Sequence, residues 1–252
     1  MCMTSPITKN NEKSYDLHAN DWHNAMATNF GHKYLEKPAM TSLLPESLQA
    51  KSVLCIGVGT GEELSELINR SPREVVAIDI SEELLKITAS KFPDIELHKM
   101  DMMDLAFASE RFDYVYSSLA LHYANDWDKL LTGIFRVLKQ NGHLIFSTHN
   151  PAYWGKKPAT GESYTNLRGV RVSEHQDTLP GGVEITYYNL EGQAEIKEAV
   201  EHAGFTLEKS FEPEVREADL TSLSEAESLS YTKLKTKNAL LALFYIVSAT
   251  KR

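Results

Sequence analysis

The segment Val53-Leu54-Cys55-Ile56-Gly57-Val58-Gly59-Thr60-Gly61-Glu62-Glu63 constrains this chain more than any other. An apolar run feeds three alternating glycines, a helical stretch follows, and a second apolar run, Val75-Val76-Ala77-Ile78, ends in Asp79. That order reads as a β-α-β nucleotide-binding unit. Gly57, Gly59 and Gly61 remove side chains that would hold a ligand off the backbone. Asp79 stands where an acid accepts hydrogen bonds from both ribose hydroxyls of an adenosine. Alternating glycines by themselves also suit an ordinary tight turn, so the flanking strand, helix and acid carry the argument.

Spacing narrows the ligand. Dinucleotide-binding folds use G-x-G-x-x-G, with a pyrophosphate over the helix N-terminus. Here Glu62 takes the place of the third glycine and Glu63 follows it. Two carboxylates suit the positive end of a helix but repel a pyrophosphate; a cationic sulfonium nucleoside fits better. With these residues the chain resembles the class I S-adenosylmethionine-dependent methyltransferases, of the small-molecule type related to the quinone-biosynthesis enzymes. The resemblance runs from about Tyr15 to the C-terminus. It includes Asp101-Met102-Met103-Asp104-Leu105-Ala106-Phe107, similar to the family's D-x-x-x-L-P-F. It continues through Arg111 to Tyr123, similar to the fourth strand and its methyl-transfer loop, and Phe135 to Leu144, similar to the helix and turn before the fifth strand.

The resemblance implies a cofactor set of Tyr15, Gly57, Gly59, Gly61, Asp79, Ile80, Asp101, Met102 and Ser117. Within it, Asp101 accepts from the adenine amino group and the Met102 N–H bonds a ring nitrogen. Val58, Ala106 and Asn141 depart from the family pattern without removing a polar group that the cofactor needs. Ser117-Ser118-Leu119-Ala120 stands where DNA-adenine and glutamine-methylating relatives carry Asn/Asp-Pro-Pro-Tyr, which argues against those substrates.

The expected architecture is α/β: a Rossmann-like, doubly wound, seven-stranded sheet, mostly parallel, with the antiparallel last strand that the resemblance adds. Residues 1–14 read as a polar, mobile tail and 15–252 as one domain. Within it, 15–50 form a helical cap and 151–189 an insertion after the fifth strand. Leu64, Leu67 and Ile68 make a helical stripe, Ser81 caps the next helix, and Gly142 ends the helix before the fifth strand. Tyr153, Trp154, Tyr164, Tyr187 and Tyr188 give the insertion an aromatic character, suited either to covering a substrate or to packing a satellite core. Pro180-Gly181-Gly182 suggests a hairpin there.

A net charge of −9 disfavours a phosphate-backbone partner. Two cysteines, Cys2 and Cys55, are too few for a disulfide framework and place the chain by default in a reducing cytoplasm. No apolar run is long enough to span a bilayer. Expected partners are therefore a small-molecule methyl acceptor and no nucleic acid, without stable membrane insertion, in a monomer or homodimer.

Sulfonium chemistry requires in-line placement of a nucleophile and, for some acceptors, a base. His122 and His149, after two central strands, are the candidate bases, with Tyr123, and more weakly Tyr116, orienting the acceptor. His32, Tyr34 and Lys37 read first as a solvated helix face, with contact to the cofactor carboxylate or the substrate as the alternative. No cluster shows metal-ligand spacing, so no metal is expected. Two other readings remain: a nicotinamide-dependent oxidoreductase on the same glycine loop, and an S-adenosylmethionine-binding protein without turnover.

Overall fold

The computed structural model describes residues 6–154, 159–165, 171–179, 182–236 and 243–252. Strands β1 (Ser52–Ile56), β2 (Glu74–Asp79), β3 (Glu96–Lys99), β4 (Phe112–Ser117), β5 (Leu138–His149), β9 (Phe205–Phe211) and β10 (Phe244–Lys251) form a seven-stranded sheet in the order β3-β2-β1-β4-β5-β10-β9. β1 pairs in parallel with β2 and β4, whereas β10 runs antiparallel to both β5 and β9, as expected for the last strand. The order turns back on either side of β1, so the connections leaving β1 and β4 diverge and open a crevice at their carboxyl ends.

Alternation explains why the inner strands are apolar throughout. Leu54 and Ile56 of β1, with Val76 and Ile78 of β2, enter the core on one face. Val53, Cys55, Val75 and Ala77 enter the core on the other. Helix α6 (Trp127–Val137) covers the first face with Leu130, Leu131, Ile134 and Val137, all buried. Helix α8 (Gln193–His202) joins it, ending where Gly204 takes φ +98°.

Several boundaries differ from expectation. Helix α4 (Leu64–Ile68) is a short turn in which Leu64 and Leu67 are buried and Ile68 is exposed. Helix α5 (Glu82–Lys91) begins as expected, with Ser81 Oγ accepting from Leu84 N. Gly142 does not end α6: the helix stops at Val137, and β5 starts at Leu138 and turns through Asn141 at φ +60°. A Cβ on Gly142 would press against Lys139 O at 2.8 Å, so the glycine serves that turn rather than the helix.

Of residues 1–14, expected as a mobile tail, 1–5 lie outside the described residues and 6–14 are helical. Residues 6–17 form helix α1 (Pro6–Leu17), followed by α2 (Ala19–Met26), a π-helical turn (His32–Glu36) and α3 (Lys37–Thr41). Polar α1 is fixed by long-range pairs. Asn11 exchanges two hydrogen bonds with the Thr186 backbone, at 2.7 and 2.8 Å, and Glu12 pairs with Lys99 at 2.7 Å.

The insertion begins with a helical turn, α7 (Pro151–Trp154). It then adds a second antiparallel sheet, β6 (Ser163–Thr165), β7 (Arg171–Leu179) and β8 (Val183–Leu190). β7 and β8 pair as the expected hairpin, although Pro180 and Gly181 of its turn lie outside the described residues, as does the Tyr164 side chain. Tyr187 packs with Tyr15, Ala19 and Leu84 in a satellite core beneath α1, while Tyr188 joins the main core. Helix α9 (Glu225–Thr236) precedes β10, and no helix among the described residues is long and apolar enough to cross a membrane.

Candidate active site

A cavity of about 670 Å³ occupies the crevice at the carboxyl ends of β1, β2 and β4. Gly57 and Gly59 line it with φ of +69° and +53°, values that L side chains seldom adopt. A Cβ on Gly57 would collide with Ala120, whereas one on Gly59 would meet nothing within 4 Å, because that face of the loop is open. Gly61 has a different task. Its φ is +81° and a Cβ there would lie 2.9 Å from Phe92, so it packs the loop against α5 and is not on the cavity wall.

Asp79 closes β2 at the cavity wall. Its Oδ2 accepts from Gly59 N at 2.8 Å and its Oδ1 from Ser81 N at 2.9 Å, so the buried carboxylate holds the glycine loop and the start of α5 together. Burial raises its pKa, and the amides of Ser81, Gly59 and Ile80 oppose that rise. Ile80, Asp101 and Met102 also line the cavity, and Asp101 Oδ1 fixes its own turn by accepting from Met103 N at 2.9 Å. Ser117 is not brought in: its buried hydroxyl donates to Ile56 O at 3.0 Å, tying β4 to β1, and Ser118 and Ala120 reach the cavity instead.

Aromatic rings form the opposite end. His122 and His149 stack at 3.7 Å between centroids, and His149 stacks in turn on Trp154 at 4.1 Å. Tyr187 stands edge-on to His149 at 4.8 Å. The sequence separates His122 from His149 but β4 and β5 are neighbours, which brings both rings to the cavity with Tyr123. Tyr116, by contrast, points into the core on the far face and does not line the cavity. Burial pushes the Tyr123 phenol up to about 12, and its hydroxyl shares a 2.6 Å hydrogen bond with that of Tyr15 in α1. This pair, with Ser81 Oγ donating to Asp16 at 2.6 Å, fastens α1 over the cavity.

Burial lowers the His122 pKa from 6.5 to about 3. A histidine held neutral in the folded state contributes stability that is fully present above the unfolded value near 6.5. That contribution is lost as pH falls through the window toward the folded value of about 3. Unfolding free energy should lose about 1.4 kcal/mol per pH unit from this group across the window. Denaturant unfolding of His122→Phe should show a pH slope shallower by about one proton; equal slopes would mean that His122 titrates normally.

In the cap, His32 is buried rather than solvated and borders the cavity. Its Nδ1 lies 3.1 Å from Glu36 Oε2 and its Nε2 3.0 Å from Glu63 Oε1. Burial would lower its pKa, but the two carboxylates outweigh burial and raise it to about 10. Tyr34 donates to Glu227 at 3.1 Å and Lys37 to Glu62 O at 2.8 Å, so neither is a free solvated group. Glu62 itself pairs with Lys91 at 3.0 Å. Both loop carboxylates thus have cationic partners, and their repulsion of a pyrophosphate is weaker than their adjacency in sequence implies.

Residues 54–146 match the family described as Methyltransferase domain. An uncharacterized protein of Haemophilus influenzae is 35% identical over 46% of this chain and 49% of its own length. A demethylmenaquinone methyltransferase of Renibacterium salmoninarum is 27% identical over 58% of this chain and 72% of its own length. The chain spans about half or less of the length of the first curated relatives it matches. Among solved structures, an S-adenosylmethionine-dependent methyltransferase from Mesorhizobium loti superposes with a TM-score of 0.65 at 27% identity, covering 84% of this chain and 96% of that one. The glycine loop, the acid closing β2 and the seven-stranded order agree with these matches: residues 54–146 carry a match to the methyltransferase domain family, and most of the chain is similar in structure to an S-adenosylmethionine-dependent methyltransferase.

Proposed function

We propose that this chain transfers a methyl group from S-adenosylmethionine to a small-molecule O, N or C acceptor. The observation that carries the reading is one continuous cavity joining the glycine loop and Asp79 to the stacked pair His122 and His149. The residues fit the cofactor: the open face of Gly59 admits a ligand against the backbone, and Asp79 offers a fixed carboxylate at the ribose position. Asp101 and Met102 stand at the same cavity for the adenine edge. When bound, the cofactor supplies a methyl group already activated as a sulfonium.

The protein's part is placement, dryness and proton removal. Tyr15 and Tyr123 hold α1 closed over the cavity, and Trp154, Tyr153 and Leu179 give its acceptor end an apolar wall. That wall favours an apolar acceptor. A base with a pKa of about 3 accepts protons poorly at neutral pH, so His122 acts as a neutral partner that positions its stacked neighbour. His149, at the cavity wall, takes the acceptor's proton where one must leave.

Two alternatives, a nicotinamide oxidoreductase and a binding protein without turnover, differ in cofactor response and product. S-adenosylmethionine and S-adenosylhomocysteine should raise the melting temperature by mass action, with stabilisation of about 2.7 kcal/mol at one hundred times Kd. NAD should have no comparable effect. Equal or larger stabilisation by NAD would reverse the assignment.

A further inference from the structure

The π-helical turn His32–Glu36 places a histidine and a glutamate four positions apart, and π turns recur at functional sites. Both side chains are buried, and Glu63 of the glycine loop meets them from the opposite side, also buried. One potential ligand atom from each of the three lies within 4.8 Å of the others. Among the described residues His32 makes the ion-pair contacts to both Glu36 and Glu63, so one imidazole faces two buried carboxyl groups.

The contacts between them are close without being good hydrogen bonds. Nδ1 and Nε2 of His32, Oε2 of Glu36 and both oxygens of Glu63 are buried without a hydrogen bond of acceptable direction. Glu36 is held in place from behind: its Oε1 accepts from Ser118 Oγ at 2.8 Å and from Ser147 Oγ at 2.5 Å, which turns Oε2 toward His32. Hydrogen bonding of this kind is how proteins orient a ligating carboxylate. His32 and Glu63 also border the cavity, which supplies an entry path and room for a water ligand.

We propose that His32, Glu36 and Glu63 form a site for one divalent transition ion of the zinc type. One imidazole nitrogen and one oxygen from each carboxylate would bind it, with water from the cavity completing a four-coordinate shell. One imidazole with two carboxylates is a donor set that Zn²⁺ and Co²⁺ accept, and a charge of +2 cancels the two carboxylates. Bonds of about 2.0–2.2 Å require the imidazole, whose two nitrogens face different carboxylates, to turn one nitrogen toward both oxygens as the three side chains draw inward. The ion would join the cap to the glycine loop beside the cofactor cavity and leaves the methyl-transfer reading untouched.

The test uses the full chain without an affinity tag, stripped with chelator and titrated with Co²⁺, then with competing Zn²⁺. The expected result is one equivalent of cobalt, a visible ligand-field band, and binding weakened at least about tenfold in His32→Gln and Glu63→Gln. His98→Gln, at an exposed pair with Glu96, should bind as the unaltered protein does. If those site variants do not fold, X-ray absorption of the unaltered cobalt form decides: imidazole with oxygen scattering is expected. Absence of cobalt binding, binding that persists in both folded site variants, or a shell lacking imidazole would overturn the site and leave His32 as a protonated clamp between two carboxylates.

Discussion

Replacing His149 with phenylalanine is expected to lower turnover by roughly 10²–10⁴-fold for an acceptor that must lose a proton, with S-adenosylhomocysteine affinity little changed. Phenylalanine preserves a flat ring between His122 and Trp154, at 3.7 and 4.1 Å in the native stack, so the change removes proton transfer and spares packing. His122→Phe should cost less. Rings this close cannot both be protonated without strong repulsion, and His122 is the one that burial holds neutral. An ascending limb in the pH profile should therefore persist in His122→Phe and vanish in His149→Phe. Tyr123→Phe should be milder still, because it loses one hydroxyl contact to Tyr15 and leaves the histidines in place. Near-normal turnover of both histidine variants across that pH range would show that proximity alone carries the reaction and that the acceptor is a carbon or an already ionised oxygen.

Asp79→Ala should weaken S-adenosylhomocysteine binding by about 1.5–3 kcal/mol, the range for hydrogen bonds to a charged group. The same change strips the acceptor from Gly59 N and Ser81 N, so the unliganded protein should also lose stability. Asp79→Asn retains an acceptor oxygen for one of those amides and separates the two effects: affinity should fall with a smaller drop in unfolding free energy. Calorimetry checks both variants. Unaltered binding in Asp79→Ala would reduce Asp79 to the turn-fixing role that its two amide bonds already display.

Local chemistry explains what the sequence revealed. The glycine loop, Asp79 and the apolar strands depend on neighbours close in the chain and on period-two burial, and both survive without knowledge of the fold. His122 and His149 were legible as a pair because each follows a central strand, although their direct stacking arises from the adjacency of β4 and β5. The misreadings have the opposite character. Asn11, Glu12 and Asp16 look solvated in a polar segment, yet their partners are Thr186, Lys99 and Ser81, far along the chain. His32 belongs to the same class: it sits in a π-helical turn of the cap, and one of its two carboxylate partners, Glu63, comes from the glycine loop. Ser117 failed as a cavity residue because a hydroxyl one position from the loop is consumed by the neighbouring strand.

The central claim, that this cavity delivers a methyl group to a small molecule, is tested most directly by following the methyl group. The full chain would be incubated with S-adenosylmethionine carrying an isotopically labelled methyl and a metabolite extract, and the products resolved by mass spectrometry. The account predicts a labelled low-molecular-weight product and a matching yield of S-adenosylhomocysteine, both lost in Asp79→Ala at limiting cofactor and strongly reduced in His149→Phe if the acceptor loses a proton. Retained cofactor binding with no label in any small molecule, across extracts rich in apolar acceptors, would contradict it and leave a protein that binds S-adenosylmethionine without turning it over.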